Sequence, residues 1–73
     1  MKTVSDTFKA EVRRVWGNTL KLDLACREEL IRQGEDGDEH LDDLIGIMVA
    51  QLAQSTPEKL IALFEEDILN DHD

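Results

Sequence analysis

The stretch GEDGDEHLDDL, residues 34–44, is an acidic turn that runs into the apolar segment LIGIMVAQLA and divides the chain into two helical halves. Gly34 can adopt the left-handed backbone conformation that commonly ends a helix. Asp36 followed by Glu39 has the spacing of a capping box, with Asp38 as a competing N-cap. Carboxylates in a first helical turn are also favoured by the partial positive charge of its unpaired N–H groups. The stretch therefore predicts a turn between two helices.

The segment before this turn has apolar residues in helical steps of three and four, with Thr19 filling one position; they are Phe8, Val12, Val15 and Leu22. The pattern predicts a first helix over residues 5–33, with Ser5 or Asp6 as its N-cap. Gly17 is the weak point, because glycine costs about 1 kcal/mol relative to alanine inside a helix. Both a continuous helix and one kinked near residue 17 remain open.

The segment after the turn predicts two shorter helices. One covers residues 38–54, with Leu41, Leu44, Ile45, Met48 and Leu52 on one face. The other covers 57–69, because Thr56 is a good N-cap and Pro57 occupies the first helical position, where its missing N–H costs nothing. Residues 70–73 are expected to form a solvated tail.

These lengths predict an all-α fold with a single domain, residues 1–73. The first helix would be about 43 Å long and the other two, end to end, would be similar, so the chain is expected to form a helical hairpin of one long and two shorter helices. The interface between the first helix and the two shorter ones cannot bury all the remaining apolar residues, which are Leu24, Ile31, Ile47, Val49 and Leu63. A second copy would bury them, which predicts a homodimeric helical bundle.

Charge is distributed unevenly along the chain, whose net charge is -9. Residues 1–33 carry seven bases and five acids, whereas residues 34–73 carry Lys59 against twelve acids. This balance argues against direct binding to nucleic acid or to an anionic membrane. The sequence has neither a membrane-spanning apolar run nor the apolar region of a signal peptide, so a cytoplasmic location is expected.

No motif in the sequence carries recognisable catalytic or metal chemistry. The acidic turn lacks the ligand order of a calcium loop, and the lone Cys26 has no partner for a disulfide or a zinc site. Neither His40 nor Cys26 lies in a sequence typical of a nucleophile elbow. The four glycines are scattered, so they form no glycine-rich phosphate-binding loop. We therefore expect a protein that is not an enzyme and that uses no cofactor or metal.

Two sets of residues are candidates for partner binding. Arg13, Trp16, Leu20 and Leu24 form the first, because tryptophan and arginine are enriched at interface hot spots; alternatively, Trp16 fills the core. The second is an acidic face of Asp38, Glu39, Asp42 and Asp43, which could imitate nucleic-acid phosphates as a DNA mimic or an antitoxin-like protein, or could only be solvated.

The overall pattern combines a long first helix, the acidic turn GEDGD and the closing segment STPEKLIALFEED. It resembles the small acidic early proteins with which phages disable host regulators. In size and layout it is similar to the anti-quorum-sensing and pilus-ATPase-inhibiting helical-hairpin family. The resemblance implies a compact helical homodimer in the host cytoplasm that binds a LuxR-type transcriptional regulator or a type IV pilus-assembly ATPase. It rests on architecture, and no binding residue is carried across.

Overall fold

A computed structural model describes residues 2–70, which are helical throughout apart from short connections. The α-helices are α1 (Asp6–Arg14), α2 (Thr19–Gln33), α3 (Glu39–Leu52) and α4 (Pro57–Leu63). A π-helix, Phe64–Leu69, continues from the end of α4. The all-α class predicted from the sequence is confirmed for this part of the chain.

Of the two alternatives for residues 5–33, the continuous helix does not form, and the interruption near residue 17 is a full break between α1 and α2. Gly17 has a φ of +96°, which an L side chain rarely adopts, and it turns the chain out of helical geometry. Asn18 then starts α2 by accepting a hydrogen bond from the backbone N–H of Lys21 at 3.1 Å. The longest dimension of the fold is 29 Å, which a straight helix of about 43 Å would exceed.

The break allows α1 to fold back, so that the helices form a closed arrangement instead of an open hairpin. α1 packs against α2 and α4, while α3 packs against α2, α4 and the π-helix. Phe8 on α1 and Phe64 on the π-helix are both fully buried, with ring centroids 4.6 Å apart. The aromatic pair joins the first helix to the last.

The predicted helix caps account for most element boundaries. Ser5, Asp38 and Thr56 each accept a hydrogen bond from a backbone N–H in the first turn of α1, α3 and α4. Asp38, the competing candidate, caps α3, and Asp36 does not. Gly34 ends α2 in the left-handed conformation with φ +74°, as expected.

The N-terminal segment before α1, residues 2–5, is held by side chains. The Asn70 amide bridges it, since Oδ1 accepts from the Lys2 N–H at 2.8 Å and Nδ2 donates to the Lys2 carbonyl at 3.0 Å. The Val4 N–H donates to Glu65 Oε2 at 2.9 Å. The predicted solvated tail is therefore wrong for Asn70; residues 71–73 lie outside the described part of the chain.

Candidate functional site

The structure places the predicted partner-binding residues on different sides of the fold. Arg13 lies in a groove between α1 and α4, with its Nε 3.5 Å from Glu58 Oε1. Leu20 lines a separate groove between α2 and α3. Trp16 lies in the turn between α1 and α2. It is half-buried, so part of its side chain packs against the core and part is exposed at the surface. The four residues do not form one continuous site.

Leu20 and Leu24 instead belong to an apolar stripe that also includes Ile31, here called the α2 stripe. Their exposed fractions are 82%, 56% and 61%, respectively. The spacing i, i+4 and i+11 places them on one face of the helix. The core side of α2 is the opposite face, formed by Leu22, Ala25, Cys26, Glu29 and Leu30. α2 is therefore apolar on two opposite faces, and only one of them is covered within the chain.

Arg27 occupies the one polar position within the α2 stripe, between Leu24 and Ile31. Its guanidinium group turns aside, with Nε 3.1 Å from Asp23 Oδ1 and Nη1 2.8 Å from Asp42 Oδ1. The second contact links α2 to α3. Because the charged end is directed toward α3, the methylene part of Arg27 can lie along the stripe without interrupting it with an unpaired charge.

A second apolar surface, here called the α3 cleft, lies between α3 and the C-terminal helices. It has a volume of about 110 Å³, and its lining residues are Leu44, Ile47, Met48, Gln51, Leu63, Asp67 and Ile68. Ile47 is 55% exposed, and Leu44 and Leu63 are half-buried. Of the five apolar residues expected to exceed the needs of the core, Leu24, Ile31 and Ile47 are exposed, whereas Val49 is buried.

The predicted acidic face is partly used by the fold itself. Asp38 Oδ1 accepts from the backbone N–H groups of His40 and Leu41 at 2.9 and 3.3 Å. Asp42 is bound to Arg27, as described above. Glu39 and Asp43 are exposed on the same helix. Two of the four carboxylates therefore have structural partners that a nucleic-acid-binding protein would have to displace or share.

Glu29 is a buried carboxylate that sequence reasoning did not single out. It is fully buried and accepts hydrogen bonds from Ser5, Arg32 and Gln33. Burial acts to raise its pKa, but the hydrogen bonds from Gln33, Ser5 and Arg32 outweigh burial, so the pKa lies below the ordinary value. A signal was present in the sequence, because Glu29 shares the helical spacing of the core residues Leu22 and Cys26.

Cys26 is buried in the core side of α2, where its thiol cannot act as an ordinary surface nucleophile. Burial, followed by the negative charge of Asp23, raises the pKa of the thiol to about 12. Because the thiolate is the reactive form, the thiol is unreactive near neutral pH. His40, the other residue considered for nucleophilic chemistry, is exposed in the first turn of α3.

Searches for known relatives gave no match. No protein-family model, curated protein or solved structure matched the chain. Within residues 2–70, no group of three or more histidine, cysteine, aspartate or glutamate residues is placed to hold a metal ion. The helices of the described part are all too short or too polar to cross a membrane. The resemblance to phage host-takeover proteins stays a prediction.

Proposed function

We propose that this protein is a non-enzymatic binding protein, an inhibitor or adaptor that acts by occupying a surface of another protein. The observation that carries the proposal is the presence of large exposed aliphatic side chains in two places, the α2 stripe and the α3 cleft. Contiguous exposed apolar surface on a small domain is typical of interaction sites. Following the resemblance, the target is a host transcriptional regulator or a pilus-assembly ATPase, and the protein acts in the cytoplasm as a homodimer.

The α3 cleft is the surface that we propose for the target. Its apolar lining includes Leu44, Ile47 and Leu63, and its polar lining residues are Asp67 and Gln51. A helix that presents apolar residues at i, i+3, i+4 and i+7 fits such a groove. The half of the chain that builds the cleft, residues 34–73, carries Lys59 against twelve acids. The occupant is therefore a basic amphipathic helix of the target protein.

The acidic DNA mimic is the alternative, and it differs from this proposal in the forces that hold the complex. A mimic binds through its carboxylates, so its affinity falls steeply as salt screens them. A helix seated in an apolar cleft keeps most of its affinity, because burial of aliphatic side chains does not depend on ionic attraction. The roles of Asp38 and Asp42 in the fold favour the cleft.

A synthetic peptide tests the proposal directly. The probe is a fluorescein-labelled, helix-forming peptide of leucine and lysine with leucines at i, i+3, i+4 and i+7. A scrambled peptide of the same composition, which cannot form one apolar face, is the control. Fluorescence anisotropy at about 0.1 M and about 0.5 M salt gives both affinities. We expect the amphipathic peptide to bind at both salt concentrations and the scrambled peptide to bind weakly at low salt only.

Two matched variants locate the binding surface. Ile47→Glu in the cleft should weaken peptide binding by about ten- to a hundredfold, because it places a charge in the apolar lining. Ile31→Glu, which makes the same change on the α2 stripe, should leave the affinity within about twofold. Circular dichroism checks that both variants fold. Equal binding of the two peptides, or equal loss in the two variants, would refute the cleft as the target site.

A further inference from the structure

We infer that the α2 stripe is the homodimer interface, with the α2 helices of two copies packed antiparallel. The inference rests on the homodimer that is part of the proposed function, and it names the surface, the direction of packing and the ion pairs. It is carried by the α2 stripe together with two exposed charges beside it, Lys21 and Glu28.

The stripe has the spacing of a helix–helix seam. Leu20, Leu24, Arg27 and Ile31 follow one another in steps of four, three and four, which is the alternation of core positions in a two-helix coil. The stripe extends about 17 Å along the helix, or three turns. A second α2 can therefore pack against its full length.

Antiparallel packing of this seam is self-complementary. With the twofold axis between Leu24 and Arg27, Leu20 lies opposite Ile31 of the second copy, and Leu24 lies opposite its Arg27. The twofold symmetry repeats each contact, so that both ends of the seam have an aliphatic pair. Near Leu20, a groove of about 290 Å³ between α2 and α3 is bordered by Gly46 and Ala50. Because neither residue has a side chain larger than a methyl group, the groove leaves space there for Ile31 of the second copy.

The charges beside the seam distinguish antiparallel from parallel packing. Lys21 and Glu28 are seven residues apart on the flank of the stripe that faces away from α3. In the antiparallel register, this flank meets the same flank of the second copy, so Lys21 lies beside Glu28 of that copy, and the pair occurs twice. In a parallel register, Glu28 would lie beside Asp23 of the second copy, which places like charges together. Charge complementarity therefore favours the antiparallel arrangement.

Analytical ultracentrifugation over a concentration series tests whether the stripe is the interface. The wild-type protein should sediment as a species of twice the chain mass of 8.3 kDa at high concentration and dissociate on dilution. Leu20→Glu, which places a carboxylate opposite the aliphatic Ile31 at both ends of the seam, should remain monomeric throughout. Ile47→Glu, which makes the same kind of change at an exposed aliphatic residue of α3, should dimerise as the wild type does. A wild type that stays monomeric, or a Leu20→Glu variant that still dimerises, would overturn the inference.

Charge reversal tests the register. Lys21→Glu and Glu28→Lys should each weaken the dimer about three- to tenfold, because each places like charges together at two symmetric positions. The double variant should restore the dissociation constant to within about twofold of wild type. Net charge alone predicts opposite effects, since Lys21→Glu makes the chain more negative and Glu28→Lys makes it less negative. Lys59→Glu, on α4, makes the same charge change away from the seam and should have a smaller effect than Lys21→Glu.

The dimer interface and the target site at the α3 cleft can fail independently in these experiments. A dimer that is insensitive to both single reversals, or a double variant that dimerises less well than either single variant, would overturn the antiparallel register. Peptide binding at the α3 cleft is measured in a separate experiment with Ile47→Glu as the damaging variant. Loss of that binding in Ile47→Glu with an intact dimer would leave both conclusions standing, whereas a monomeric wild type that binds the peptide would remove the dimer alone.

Discussion

Glu29 on α2 holds Ser5 at the start of α1 through two hydrogen bonds. The Ser5 N–H donates to Oε2 at 2.8 Å, and the Ser5 hydroxyl donates to Oε1 at 2.7 Å. The same hydroxyl oxygen accepts from the Phe8 N–H at 3.1 Å and thereby caps α1. The cap of one helix is therefore fixed by a buried carboxylate of the next, which links the folding of α1 to that of α2.

Replacing Glu29 by glutamine should lower the free energy of unfolding by about 2 to 4 kcal/mol. The glutamine amide has one acceptor oxygen, and its NH₂ group would face donors from Ser5, Arg32 or Gln33. Urea denaturation followed by circular dichroism measures the loss. Glu66→Gln, the same change at an exposed position, should alter stability by no more than about 0.5 kcal/mol. Equal small effects of the two substitutions would contradict the assigned role of Glu29.

The stabilisation from Glu29 should disappear in acid. Its folded-state pKa lies below the ordinary glutamate value of about 4.3, so the unfolded chain takes up this proton first as the pH falls. The contribution is therefore fully present above about pH 5 and is lost as the pH falls through the folded-state pKa. The stability difference between wild type and Glu29→Gln, measured by urea denaturation from pH 7 to pH 3, isolates this carboxylate from the others. A difference that grows toward pH 3 would be inconsistent with the lowered pKa.

Alanine should have opposite effects at Gly17 and Gly46. At both positions, no atom other than close chain neighbours lies within 4 Å of the Cβ that alanine would add, so backbone conformation decides the result. Gly17→Ala should destabilise the fold by about 1 to 2 kcal/mol because of its φ of +96°. Gly46→Ala, inside α3, should stabilise it by about 0.5 to 1 kcal/mol. Thermal denaturation at a fixed, low protein concentration gives both values, and a stabilising Gly17→Ala would show that the break between α1 and α2 is not required.

The Cys26 thiol should react with a thiol reagent only when the structure opens. It is fully buried and its pKa is raised to about 12, so the native state contains almost no thiolate near neutral pH. The rate of labelling by a chromogenic disulfide should rise with urea in parallel with unfolding. A control chain with the exposed substitution Gln54→Cys should label quickly without urea. Rapid labelling of native Cys26 would show that α2 does not cover this thiol.

The sequence alone determined the helical character of the chain and most of its boundaries. These features depend on local chemistry: Thr56 and Pro57 start α4, Asp38 starts α3, and Gly34 ends α2. Helical spacing also indicated more apolar surface than one seam could bury, and Leu24, Ile31 and Ile47 are indeed exposed.

The tertiary structure decided how α1 is used, what Glu29 does and where the exposed surface lies. Gly17 was a weak helical position in the sequence, but a local pattern cannot say whether such a position bends or breaks. In the folded-back arrangement Phe8 packs against Phe64, a contact between residues far apart in sequence. Likewise, Arg13 and Leu20 are near each other in the chain but lie in separate grooves. Such relations depend on packing between residues far apart in the chain, and the local spacing of residues carries no information about it.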